Sequence, residues 1–151
     1  MTDYPDLKLF IDNRWRTTPD TLPVLNPATE AEIGRLPVAR EADLDDALEA
    51  AERGFKVWSR TAPRIRAQII VKAASLLRER GAQIAPSITM ENGKPLTQAK
   101  LEVIRGSEFF EWDAGEAQRL YGQVVPSAPG VRYTVIREAA GIVAGFAPWN
   151  F

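Results

Sequence analysis

The chain has 151 residues, 45% hydrophobic and 26% charged, the proportions of a soluble globular protein rather than of a disordered or fibrous one. Its 20 acidic and 19 basic side chains leave a net charge of −1, without the cation excess that displaces counterions from nucleic acid. Cys and His are both absent, which removes from these residues disulfides, Cys- or His-built metal sites, thiolate nucleophiles and every triad that needs an imidazole. Catalysis within them would rest with carboxylates, Lys, Tyr, hydroxyls or amides. An ordinary single core of this length buries about 68–70% of the unfolded surface.

The first ten residues carry Asp3, Asp6 and Lys8 and lack an apolar signal core. The longest nearly apolar stretch, Ala139 to Phe151, falls short of the ~18 residues of a spanning helix. A cytoplasmic location with no membrane, nucleic-acid or metal partner is the expectation.

Leu9-Phe10-Ile11 and Trp15 flank the turn tripeptide Asp12-Asn13-Arg14, which predicts a short β-hairpin. A second strand pair is expected around Asn26-Pro27-Ala28-Thr29. From Glu41 to Trp58, Leu44, Ala47, Leu48, Ala51, Phe55 and Trp58 recur at helical steps. A second helix runs from Pro63 to Arg80, with Thr61 as its cap and Gly81 as its stop. The first helix is strongly acidic and the second strongly basic, so the two are expected to lie close together. A short helix from about Gln83 ends at Gly93, with Pro86 tolerable only in its first turn. The longest helix follows Pro95 and stops at Gly122. Its Phe109, Phe110 and Trp112 read as core, its Glu102, Glu108 and Glu111 as a solvated face, and Lys94 before it as a surface cation. Val131 to Val135 alternates like a half-exposed strand, and Gly141 to Phe146 is a continuous apolar run that fits a strand buried in a parallel sheet. Such a strand needs neighbours that the chain does not supply, and the apolar segment stops abruptly at Phe151. The chain is therefore expected to be the front portion of something longer.

Residues Arg137 to Phe151 carry a buried strand followed by Pro148-Trp149-Asn150-Phe151, which resembles the signature of the NAD(P)-dependent aldehyde dehydrogenases. Asn26-Pro27-Ala28-Thr29, Phe55-Lys56-Val57-Trp58, Met90 to Pro95 and Phe109 to Ala117 fall in the same family's order and spacing. The version here is most similar to the succinate-semialdehyde dehydrogenase branch.

The resemblance implies the N-terminal part of a doubly wound, Rossmann-like α/β cofactor domain, incomplete, with the start of a β oligomerisation arm. Residues 1–122 would belong to the cofactor domain, 123–140 to the arm and 141–151 to the return into the sheet. It implies oxidation of a small aldehyde, with NAD or NADP as cofactor, through attack by a cysteine thiolate, hydride transfer and hydrolysis of the thioester. Asn150 matches the family's oxyanion-stabilising amide, and Ala147, Pro148 and Trp149 border the cofactor. The arm implies a homo-oligomer. The family's nucleophilic Cys, general-base Glu, phosphate-binding turn and ribose-binding Lys have no counterpart here, so the chain alone is expected to be inactive. A non-catalytic assembly fragment, or the product of a decayed gene, is the alternative.

Overall fold

The computed structural model describes residues 4–147, and the order of elements is four short strands, four helices and two further strands. β1 (Leu9–Ile11) and β2 (Arg14–Arg16) pair antiparallel, with Ile11 opposite Arg14. Only Asp12 and Asn13 make the turn, at φ of 52° and 59°, the left-handed pair of a type I′ hairpin; Arg14 already belongs to the strand. Phe10 and Trp15 face each other across it with ring centroids 4.7 Å apart.

β3 (Thr21–Leu25) and β4 (Glu32–Pro37) form a second antiparallel pair, as the Asn-Pro turn predicts. The turn holds itself: the Asn26 side-chain oxygen accepts from the Ala28 N–H at 2.9 Å, and the Asn26 carbonyl accepts from Glu30 at 2.8 Å. Glu30 there takes a left-handed φ of 59°. Gly34 on β4 leaves room for the Tyr4 ring, whose carbons come within 2.5 Å of where a Cβ would stand.

α1 (Glu41–Trp58) begins where the Arg40 N–H donates to the Asp43 carboxylate at 3.0 Å. It buries no residue, and Leu44 and Leu48 stay exposed on its apolar stripe. Its charges do not meet those of α2 (Pro63–Glu79), contrary to the expectation from their opposite signs. Asp46 instead binds Arg16 of the first hairpin at 2.5 Å, Arg53 reaches Asp12, and Glu49 and Glu52 pair with cations one turn along α1 itself. Local partners satisfy the acids first, because helix neighbours four residues apart need no long-range docking.

α2 starts with Pro63 in its first turn, but its N-cap is Ala62; the Thr61 hydroxyl turns back to the Val57 carbonyl at 2.9 Å. Gly81 does not end a segment. It opens α3 (Gly81–Asn92), which brings Pro86 beyond the first turn, where the Ala82 carbonyl loses its N–H donor. Gly93 caps α3 in the left-handed conformation, at φ 77°. α4 (Leu96–Ala117) ends four residues short of Tyr121.

α4 lies against both α2 and α3, and small residues set how closely. Ala67 and Ala74 on α2, Ala85 on α3, and Ala99, Val103, Ser107 and Ala114 on α4 are the buried positions, with Leu77, Ile84 and Ile88 packed around them. Ser107 is the largest fully buried side chain and donates to the Ile104 carbonyl at 2.6 Å. The expected aromatic core is not formed: Phe109 and Trp112 are 71% and 68% exposed, because they project from the side of α4 away from α2 and α3.

β5 (Gln123–Val125) and β6 (Tyr133–Val135) form an exposed antiparallel hairpin. Gly141 to Phe146 forms no strand, and Val143 and Phe146 are 85% and 93% exposed. Among the described residues the three sheets are separate two-stranded pairs, and none of their strands pairs with this segment. Among the described residues no helix is long and apolar enough to cross a membrane.

Candidate functional site

The residues expected to border the cofactor begin at Ala147, the last described residue, which is exposed and carries no regular structure. Pro148, Trp149 and Asn150 lie outside the described residues. The described residues that lead up to them run from Gly141, at φ 128°, through the exposed Phe146.

Where this segment leaves β6 it closes one side of a cleft of about 860 Å³, with Phe55, Trp58 and Arg66 on one wall and Leu120, Arg137 and Glu138 on the other. Among the described residues no glycine-rich phosphate turn is formed. A Cβ at Gly141 or Gly145 would meet nothing within 4 Å, so neither glycine shapes a phosphate cradle, and the G-x-G-x-x-G spacing is missing.

A second cleft, of about 670 Å³, runs beside the first turns of α4, where Gln98, Leu101, Glu102, Arg105 and Phe109 recur on one helical face. Lys94 closes one end. Its side chain is only 10% exposed and its ammonium pairs with the Glu102 carboxylate, so Lys94 is no surface cation and Glu102 is no purely solvated acid. The sequence carried a faint signal of this: a cation just ahead of a helix and an acid in that helix's second turn.

Glu111 is also paired. Both Arg78 guanidinium nitrogens donate to its two carboxylate oxygens, the second at 2.7 Å, a bidentate link from α2 to α4. Hydrogen bonding to Arg78 holds the Glu111 carboxyl below the usual carboxylate range and raises the Arg78 guanidinium. Tyr4, which donates from its hydroxyl to Glu91 at 2.5 Å, is pushed up, first by burial and then by that bond to a carboxylate.

The sequence profile of the Aldehyde dehydrogenase family matches residues 15–151. The chain belongs to the aldehyde dehydrogenase family. It is 37% identical to the 3-sulfolactaldehyde dehydrogenase of Pseudomonas putida over 94% of this chain and 30% of that one. It is 36% identical to the succinate-semialdehyde dehydrogenase [NADP(+)] of Saccharomyces cerevisiae, again over 94% of this chain and 29% of that protein. The crystal structure of an aldehyde dehydrogenase from Brucella melitensis biovar abortus 2308 superposes with a TM-score of 0.80 at 35% identity, over 84% of this chain and 27% of that one. The chain thus spans about 30% of the length of the curated aldehyde dehydrogenases it matches. Its α/β fold of four helices and small sheets is that of the N-terminal part of these enzymes.

Proposed function

We propose that this chain contributes the N-terminal part of an enzyme that oxidises a small aldehyde to the carboxylic acid with NAD or NADP. The family match, running unbroken through residue 151, carries the reading, since it includes the Pro-Trp-Asn-Phe segment. The names of the relatives narrow the substrate class. 3-Sulfolactaldehyde and succinate semialdehyde both carry an acidic group at the end remote from the aldehyde, so an anionic aldehyde, succinate semialdehyde among them, is the substrate proposed here. The yeast relative's name supports a nicotinamide cofactor.

Within that enzyme, residues 1–122 would form part of the cofactor domain, 123–140 the arm through which copies associate, and 141–151 the return to the sheet. Asn150 would donate its amide N–H to the oxygen that turns negative when a nucleophile adds to the aldehyde carbon. An amide suits this role because it donates without titrating, and losing one such donor costs about 10²–10³ in turnover. Ala147, Pro148 and Trp149 would border the nicotinamide. The thiolate must come from outside these residues, which hold no Cys. The chain alone is accordingly inert. Purified and incubated with NAD or NADP and succinate semialdehyde, it is expected to form no more reduced nicotinamide than buffer does; turnover above that control would contradict the reading.

A further inference from the structure

We infer that the cleft between the start of α2 and the segment that follows β6 is a binding site for a phosphate dianion carried on an aromatic body. Three arginines line it, Arg60 and Arg66 from the α2 side and Arg137 from the segment after β6, against one acid, Glu138. Among the described residues no carboxylate lies in ion-pair range of any of the three, whereas Arg16, Arg40, Arg53 and Arg78 each hold one elsewhere in the molecule. Three cations against one anion leave two positive charges over, the match of one phosphate dianion, and guanidinium forks present paired N–H groups to its oxygens.

The backbone adds a charge of the same sign. The 17-residue α2 opens onto the cleft with Ala62 and Pro63, has no side-chain cap and carries no acid in its first turn, so the positive end of its dipole is uncompensated there. Arg66 is anchored at the same place: it is half-buried and donates to the Thr61 carbonyl at 3.1 Å, which leaves its remaining N–H groups for a ligand. The Ser59 and Thr61 hydroxyls donate to the Phe55 and Val57 carbonyls, at 2.6 and 2.9 Å, so the arginines are the donors on offer. Phe55 and Trp58, one turn apart at the end of α1, make the cleft's aromatic wall, and Trp58 is 42% exposed. A volume of about 860 Å³ is more than a bare phosphate fills and lies within the range of small-molecule sites. The ligand therefore carries a body, and rings beside guanidinium groups favour a flat one.

The inference is independent of the proposed oxidation, because the probes are not aldehydes and binding is read without turnover. Phenyl phosphate and phenethylamine, which share an aromatic ring and differ in the sign of the head group, are titrated against the purified chain by saturation-transfer NMR on the ligand. Phenyl phosphate is expected to bind saturably and phenethylamine to give no saturable transfer. Inorganic phosphate, added as a competitor, should displace phenyl phosphate only at a concentration at least ~10-fold higher, because it lacks the ring. R137Q should weaken phenyl phosphate at least ~10-fold and W58A several-fold. E138Q should tighten it several-fold by removing the one acid of the lining, a gain that a folding defect does not produce. Arg137 and Glu138 are exposed and lie outside any helix or strand, so both variants should keep the parent circular dichroism. The proposal is overturned if phenyl phosphate fails to saturate, if phenethylamine binds equally well, if inorganic phosphate competes as an equal, or if R137Q and E138Q bind phenyl phosphate like the parent.

Discussion

Gly34 shows how a missing methyl group positions a tail. A Cβ there would meet two Tyr4 ring carbons at 2.5 Å, and the ring's place on β4 is what carries its hydroxyl to Glu91. G34A is therefore expected to displace Tyr4 and return its ionisation toward that of an ordinary tyrosine. The measurement is the alkaline absorbance step that Y4F removes, which should move to lower pH in G34A. Arg78 and Glu111 make a second residue-scale case. Glu111 titrates below its ordinary value when folded, so its contribution is complete above about pH 5 and is lost as pH falls through its lowered folded value. Thermal unfolding followed from neutral to acid pH should show this loss, and E111Q should flatten that limb of the profile while changing the neutral end little, since both partners are substantially exposed.

Elements were legible in the sequence wherever local chemistry decides them. Asp12-Asn13 specifies its own tight turn, Asn26 closes the next one with its side chain, Gly93 takes the left-handed cap, and apolar spacing marks α1. What depends on distant partners was not legible. Gly141 to Phe146 has a strand's composition, but pairing belongs to neighbours, and the segment lies exposed without them. The burial of Lys94 and the exposure of Phe109 likewise follow from how α3 and α4 are set, which helical spacing does not encode. Gly122, expected as a helix stop, has another role. It stops no helix, yet a Cβ there would stand 2.1 Å from the Val135 carbonyl, so the glycine lets the two ends of the exposed hairpin close. G122A should open β5–β6, seen as loss of the cross-strand amide protection between Val124 and Thr134. In α3 the opposite change helps: P86A restores a donor to the Ala82 carbonyl and should stabilise the chain by about 1 kcal/mol or more, read from its denaturation midpoint.

At the scale of the molecule, the surface is the informative quantity. The chain exposes 11986 Å², whereas a compact monomer of 16.7 kDa exposes roughly 7,600 Å². The excess includes Val57, Ile69, Trp112, Tyr121 and Phe146, each at least half exposed, and buried positions are mostly alanines. Length alone suggested one ordinary domain; the surface says that these helices have apolar faces still to cover. Isolated, the chain should bind a hydrophobic dye strongly and elute from size exclusion ahead of a globular protein of its mass. The proposed role of Asn150, an oxyanion-stabilising amide in an aldehyde-oxidising enzyme, is the central claim. Its most direct test is a chimera in which this chain replaces the matching N-terminal 30% of the Pseudomonas putida 3-sulfolactaldehyde dehydrogenase. The chimera should oxidise aldehyde, and N150A within it should lower kcat by about 10²–10³ while leaving assembly intact. An active chimera whose turnover is indifferent to N150A would contradict the account.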